Sequence, residues 1–184
     1  MIKKGLSLSR VAKRYAKAIF QLAVEQKQLP AYKEDFERIK NLIHESGDFR
    51  SFLLNPLLND HQRADIIKKI FEGKVSESVL NFLLLTAEKR RLSLIETMVD
   101  YFNKMYLDYN NQIEGELISA VEILPKQFDK IKASVESAVG KQVIFTKRLE
   151  PAIIGGFVVK VGDSVIDNSI RYQLNKLREK LKTQ

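Results

Sequence analysis

The glycines at Gly140 and at Gly155-Gly156 are where this sequence could bring backbone amides against a phosphate group. A phosphate-binding loop needs an earlier glycine and a hydroxyl-bearing residue after its lysine, and Gly140-Lys141-Gln142 has neither. A dinucleotide fingerprint opens a helix, whereas Gly155-Gly156 precedes the strand-like sequence FVVKV. We therefore interpret the glycine pair as a backbone bend that allows close packing, and we predict no nucleotide site.

Acid–base and metal chemistry also lack a suitable group of side chains. The carboxylates of Glu34 and Asp35 fall on a polar helix face, where solvated charges are the simplest expectation. The two histidines, His44 and His61, fall in different predicted helices, and the chain has no cysteine. We predict a chain without catalytic residues, without a cofactor and without a metal site.

The charge of the chain predicts an acidic partner. Its 184 residues include 31 Lys and Arg against 23 Asp and Glu, a net charge of +8. Nucleic acid, an anionic membrane surface and an acidic protein all fit that excess. No apolar run reaches the roughly 18 residues of a membrane-spanning helix, and no secretory or transit signal is recognised.

A basic nucleic-acid-binding protein is the main alternative function. Such a protein combines a basic face with exposed aromatic rings on which bases stack. The aromatic residues Tyr101, Phe102, Tyr106 and Tyr109 follow helical spacing, which is better explained by packing.

Residues 1–109 are predicted to form an N-terminal six-helix bundle. Apolar residues recur at helical spacing between short breaks, and short connections favour antiparallel neighbours. Ser9 is expected to cap the first helix, and Leu29-Pro30 to separate it from the second. The first three predicted helices are residues 9–27, 31–45 and 49–54, and a break at Asn55-Pro56 follows them. The fourth runs from residue 60 and stops at Gly73, the fifth follows Ser76 and runs to about residue 90, and the sixth begins at about residue 93.

Residues 110–184 are predicted to form a small α+β C-terminal domain, so the chain as a whole is mostly α. Gly162-Asp163 between two valine-rich runs indicates a β-hairpin. The polar residues 110–112 are expected to act as a hinge. The predicted elements are a strand at 116–124 ending at Pro125, a helix at 127–139, strands at 142–149, 156–161 and 164–166, and a helix capped by Asp167 or Asn168.

The first and fifth helices carry more apolar surface than a bundle helix normally buries. At about 100° per residue, the first helix leaves only a polar wedge around Arg14, Lys17 and Gln21. The fifth helix is apolar nearly all round. From the pattern alone, burial at the centre of the bundle and coverage by a partner are equally open. If the two helices lie side by side, they can form a groove for an amphipathic helix of another chain.

Three sequence blocks resemble the ATP synthase delta subunit family, whose mitochondrial relative is the oligomycin-sensitivity-conferring protein. The blocks are VAKRYAKAIF at residues 11–20, NFLLLTAEKRRL at 81–92 and IGGFVVKVGDSVIDNSIR at 154–171. They occur in the family's order, and the lack of a transit peptide points to a bacterial member. The resemblance implies a non-catalytic subunit of the proton-translocating rotary ATP synthase, peripheral to the cytoplasmic face of the inner membrane. It would link the catalytic head to the peripheral stalk and resist rotor torque.

The resemblance also implies two partners. The N-terminal bundle would hold the N-terminal helix of an alpha subunit in a groove formed by Tyr15, Ala18, Ile19, Leu22, Asn81, Leu84, Leu85 and Glu88. The C-terminal domain would bind the ends of the b subunits, and we place that contact at Phe157, Val159, Arg171, Lys176 and Arg178. For Val159, packing in the core is the favoured explanation. For the basic last helix, simple solvation and contact with acidic residues of b are equally open.

Overall fold

A computed structural model describes residues 2–55 and 57–182, with side chains from Leu8 onward, so the predicted break at Pro56 lies outside the described residues. The chain divides into two compact units, Met1–Tyr106 and Leu107–Gln184. No described helix is both long and apolar enough to cross a lipid bilayer. The first six α-helices are α1 (Ile2–Glu25), α2 (Leu29–Glu45), α3 (Gly47–Leu54), α4 (Asp60–Phe71), α5 (Glu77–Glu88) and α6 (Ile95–Tyr109), with a 3-10 helix at Leu92–Leu94.

Aromatic rings from four helices pack at the centre of the N-terminal unit. Phe36 of α2 lies 4.5 Å from Phe102 of α6 and 5.9 Å from Phe82 of α5, measured between ring centroids. Phe20 of α1 meets Phe102 edge-on at 5.6 Å. Such rings bury large apolar areas in preferred geometries, so this cluster fixes α1, α2, α5 and α6 against one another.

Two helix starts differ from the prediction. Ser9 lies inside α1, so its predicted role as an N-cap is wrong. Its side-chain oxygen instead forms a hydrogen bond with the Tyr101 hydroxyl of α6, 2.5 Å away. Leu29 and Pro30 open α2 and do not form a break, because proline lacks an amide hydrogen and fits the first helical turn.

The C-terminal unit consists of β1 (Gln112–Ser119), α7 (Pro125–Val139), β2 (Gln142–Leu149), a 3-10 helix (Pro151–Ile153), β3 (Phe157–Val161), β4 (Ser164–Asp167) and α8 (Ile170–Lys182). Its four strands form one sheet of order β2-β1-β3-β4. β1 pairs in parallel with β2 and antiparallel with β3, and β3 forms a hairpin with β4. Leu117, Val143, Val159 and Val161 share a core with Val135 of α7, which covers one face of the sheet.

β1 lies earlier in the chain than predicted. It covers Gln112–Ser119 and not 116–124, and Pro125 begins α7 at a position that proline favours. Gln112 pairs with Gln142 in the sheet. Gln112 is therefore a strand residue, and this part of the predicted hinge is wrong.

A close backbone approach holds the start of α8 against the residues that lead into β3. The Asn168 amide donates to the Phe157 carbonyl at 2.9 Å, and the Ile170 amide donates to the Gly155 carbonyl at 3.0 Å. Gly156 has a φ of +74°, and a Cβ there would lie 2.2 Å from the Asn168 carbonyl oxygen. The predicted bend at Gly155-Gly156 is confirmed, and it makes this approach possible.

Gly156→Ala is expected to destabilise the C-terminal unit more than Gly140→Ala does. Both changes place a side chain at positive φ, which costs about 1–2 kcal/mol. Gly140, at φ +70°, has nothing within 4 Å of its added methyl group, whereas at Gly156 the methyl group meets backbone. That overlap adds about 1–3 kcal/mol. Hydrogen exchange of the β3 amides measures the loss of stability in each variant. Equal losses of stability in the two variants would show that the Asn168 backbone does not crowd an alanine at position 156.

Candidate functional site

α5 lies between α1 and α4 in the N-terminal unit. Toward α1, the Tyr15 ring centroid lies 6.3 Å from that of Phe82, and Gln26 hydrogen-bonds to Ser78 at 3.5 Å. Gln26, which directly follows α1, meets Ser78 near the start of α5, whereas Tyr15 in the middle of α1 meets the later residue Phe82, so the two helices run antiparallel. On its other flank α5 packs along α4. α5 therefore has a neighbouring helix on each side.

One stripe of α5 is open to solvent. Leu85 is 44% exposed, Leu84 is half-buried, and Asn81 and Glu88 at the two ends of the stripe are exposed. Their spacing places all four on one helix face. Central burial accounts for part of the apolar excess of this helix, and the open stripe accounts for the rest. The opposite face is buried and consists of Val79, Phe82, Leu83, Thr86 and Ala87.

The α1 side of the stripe is more closed than expected. Tyr15 is half-buried, and the Arg91 guanidinium lies 5.4 Å from its ring centroid. Ala18 is exposed and Leu22 is half-buried. Ile19 is only 4% exposed and belongs to the core, which corrects its assignment to the groove. Its side chain points toward the interior of the unit and not toward a partner.

The second wall is α4, which sequence reasoning missed. Its His61, Ala64 and Lys68 share one face through their spacing, but their mixed polarity gave no reason to select them. A shallow depression joins this face to the α5 stripe and is lined by Asp60, His61, Ala64, Lys68, Asn81, Leu84, Leu85 and Glu88. We call these eight residues, together with Tyr15, Ala18 and Leu22, the helix-docking surface.

Ion pairs mark the end of the helix-docking surface where α5 ends. The Arg90 guanidinium donates to the two carboxylate oxygens of Asp60 at 3.0 and 3.3 Å, which holds the pKa of Asp60 below its ordinary value. The Lys89 ammonium donates to Glu88 at 2.7 Å, and this contact raises the pKa of Lys89. These groups are exposed, so the pairs contribute little to stability and mainly place charge at the rim. Asp60 is ionised at neutral pH and unsuited to proton transfer.

The carboxylate of Asp35 has a structural role. Asp35 is only 5% exposed, so the expectation that it is solvated is wrong. It accepts a hydrogen bond from the Ser76 amide at 2.8 Å and lies 3.6 Å from Arg38. The Ser76 amide precedes α5, where a carboxylate satisfies a free backbone donor and complements the helix dipole. Within residues 2–55 and 57–182, no three His, Cys, Asp or Glu side chains are placed to bind a metal.

α8 forms the second candidate surface. Every one of its described residues is exposed, including Arg171, Lys176 and Arg178. Four apolar side chains repeat along it at intervals of four, three and four residues, which is the spacing of a coiled-coil seam. These side chains, 43–75% exposed, are Ile170, Leu174, Leu177 and Leu181.

Two residues that the sequence assigned to the stalk contact belong to the core. Val159 is 1% exposed and pairs with Leu117 in the sheet, so its assignment is corrected. Phe157 is half-buried and packs against the same core. Both lie on the face of β3 that α7 covers, because alternate residues of a strand share a face.

The aromatic residues of α6 are used in packing. Phe102 is fully buried, and Tyr101 and Tyr106 are half-buried against the core. Tyr109 is 61% exposed. One exposed ring on α6 offers no row of stacking faces for a nucleic acid.

Known proteins match this chain along nearly its whole length. The family model described as ATP synthase delta (OSCP) subunit matches residues 11–181. "ATP synthase subunit delta" of Lactobacillus johnsonii is 32% identical over 178 residues, 96% of this chain and 97% of that protein. "ATP synthase subunit delta" of Desulfotalea psychrophila is 35% identical over 173 residues, 94% of this chain and 96% of that protein. A chain in the cryo-EM structure of the Toxoplasma gondii mitochondrial ATP synthase hexamer shares the fold, with a TM-score of 0.70 at 24% identity and coverage of 92% and 96%. The chain therefore belongs to the ATP synthase delta (OSCP) subunit family.

Proposed function

We propose that this chain is the non-catalytic delta subunit of a proton-translocating rotary ATP synthase and links the catalytic head to the peripheral stalk. Family membership supports its place in that complex. The observation that carries the mechanism is the open stripe at Leu84 and Leu85, which lines a shallow depression together with α4. A helix face of this kind is suited to holding another helix.

The first partner is the N-terminal helix of an alpha subunit, held by a six-helix N-terminal bundle. The stripe from Asn81 to Glu88 is about 10 Å long, or two helical turns. An amphipathic helix lying along it covers Leu84 and Leu85 with apolar side chains at i, i+3, i+4 and i+7. Removing that apolar area from water stabilises the complex by ~25 cal/mol per Å² before association costs are subtracted.

The second partner is the C-terminal ends of the b subunits of the stalk, which meet α8. The apolar seam of α8 is flanked by Arg171, Arg178 and Lys180, at the positions that border a coiled-coil interface. Acidic residues on a partner helix complement these charges. A second copy of α8 would bring like charges together, so self-association through this seam is disfavoured.

The function is mechanical. Proton flow turns the rotor, and the head would turn with it unless something held it to the fixed stalk. One chain with two binding surfaces supplies that link, and each attachment raises the effective concentration of the other. The torque is then used for ATP synthesis in other subunits. The complex lies at the cytoplasmic face of a bacterial plasma membrane, with this chain peripheral to the bilayer.

A tagged full-length chain is expected to recover the alpha and b subunits from detergent-solubilised membranes of its source cells. Mass spectrometry identifies the recovered proteins, and nuclease treatment is expected to leave their amounts unchanged. Recovery of neither subunit contradicts the proposal. Recovery of RNA or DNA in their place would favour the nucleic-acid-binding alternative.

A further inference from the structure

β2 is an edge strand of the sheet in the C-terminal unit, and the ladder shows which of its amides face outward. The strand order β2-β1-β3-β4 places β2 at one edge of the sheet that the structure describes. The Gln142 amide donates at 3.1 Å to the carbonyl of Asn111, the residue before β1. Because successive backbone amides of a strand point to opposite sides, the odd-numbered residues of β2 direct theirs away from β1. The outward amides are those of Val143, Phe145, Lys147 and Leu149.

The first outward amide is already bonded by a side chain of α7. The Val143 amide donates to Oε1 of Glu136 at 2.9 Å, and Val143 is only 2% exposed. The Lys132 ammonium, one turn earlier on α7, lies 3.8 Å from the same oxygen and helps to orient it. A buried donor without a partner is costly, so this hydrogen bond closes the beginning of the edge.

The rest of the β2 edge is long enough to accept another strand. β2 has eight residues, and Ile144, Thr146 and Leu149 are exposed along it. A long edge that is rich in apolar and β-branched residues is a template for pairing with another chain. β4, at the opposite edge, has only four residues, and a short edge strand is a poor template. Protection against such pairing is therefore needed mainly at β2.

Each way of pairing two copies of β2 meets an obstacle. Two copies related by a two-fold axis would pair these strands in antiparallel orientation. Pairing centred on Phe145 or on Thr146 uses the Val143 amide, which Glu136 already occupies. Pairing centred on Lys147 does not need the Val143 amide. It sets the two Lys147 side chains directly opposite each other, and like charges in that position are destabilising.

We propose that Glu136 blocks the edge of β2 and, together with Lys147, keeps it from pairing with β2 of a second copy of this chain. The carboxylate satisfies the amide that a second strand would otherwise take. The Lys147 ammonium lies 4.0 Å from the ring centroid of Phe128 on α7, and this contact holds the charge beside the edge. The block concerns the free chain and does not depend on which partners bind it.

Glu136→Ala is expected to raise the dimerisation constant of the full-length chain about 100-fold. Each dimer would gain two hydrogen bonds from the freed Val143 amides, and one net hydrogen bond corresponds to roughly a tenfold change in an equilibrium constant. Sedimentation velocity over a concentration series measures the constant. Hydrogen exchange should show new protection of the outward amides of Phe145 and Lys147 in the dimer.

Two matched variants separate the hydrogen bond from the charge. Glu136→Gln keeps an oxygen that accepts the Val143 hydrogen bond, so this variant should remain monomeric. Asp129→Ala removes the same charge from an exposed position of α7 and should also remain monomeric. Dimerisation of either variant as strong as that of Glu136→Ala would contradict a block formed by the hydrogen bond.

A second substitution on the strand tests where the dimer forms. Lys147→Pro removes an outward amide that every two-fold register of β2 uses, and proline is tolerated at such a position of an edge strand. Glu136→Ala/Lys147→Pro is therefore expected to be monomeric again. A dimer that persists in this double variant forms elsewhere and overturns the inference. The inference is also overturned if Glu136→Ala stays monomeric at every concentration, or if it loses its secondary structure in circular dichroism, because Glu136 would then only support the fold.

Discussion

Leu85→Asp is expected to weaken binding of the alpha N-terminal helix by about 100-fold or more and to leave the helix content unchanged. Leu85 is 44% exposed in the free chain, so a carboxylate at this position can keep its hydration until the partner docks. Docking would then bury an unpaired charge at the centre of an apolar contact, which is costly. Isothermal titration calorimetry measures the affinity, and circular dichroism reports on the fold.

Leu57→Asp is the matched control for this substitution. Leu57 is 89% exposed in the same unit and lies outside the helix-docking surface, so this variant should bind like the unmodified chain. If Leu85→Asp lost its helix content, Leu85 would be a core residue and the docking surface would be wrongly placed. If it kept both fold and affinity, the partner would have to bind elsewhere.

Leu174→Asp/Leu177→Asp is expected to abolish binding of the b subunits without lowering the stability of the chain. Leu174 and Leu177 are 52% and 57% exposed, so little apolar burial within the chain is lost. A coiled-coil seam tolerates adjacent charges poorly because each seam residue inserts between four residues of its partner. Size-exclusion chromatography with a C-terminal fragment of b measures binding, and thermal denaturation measures stability.

Tyr172→Asp/Asn175→Asp provides the control on the same helix. Both residues are exposed and lie on the side of α8 away from the seam, and the change adds the same two charges. This variant should retain b binding. Loss of b binding in both variants would indicate a general effect of negative charge on α8 and would contradict a contact specific to the seam.

The open stripe of α5 could be predicted from sequence, but the walls beside it could not. A helical repeat gives the width of an apolar arc and does not say which neighbours cover it. Ile19 and Leu22 lie close together on the α1 arc, yet packing buries only Ile19 fully. Ala64 and Lys68 of α4 join the surface only through tertiary packing, and their polarity pattern is that of an ordinary exposed helix face.

The start of β1 was missed because its support comes from distant residues. Gly115 weakens the local strand signal, but a Cβ there would lie 2.7 Å from Val143 on the neighbouring strand. The predicted strand began at Glu116, whose carboxylate lies 3.1 Å from a nitrogen of Arg148 on β2 and 3.1 Å from a nitrogen of Lys160 on β3. Cross-strand contacts of this kind stabilise a sheet and leave no local trace in the sequence.

The most direct test of the adaptor function is sequential binding on one sensor surface. The alpha N-terminal peptide is immobilised, the full-length chain is added, and a C-terminal fragment of b follows. We predict a second binding step on top of the first, the loss of both steps with Leu85→Asp, and the loss of only the second with Leu174→Asp/Leu177→Asp. Release of the chain when b is added, or capture of b without the chain, would contradict the claim that this subunit joins the two partners.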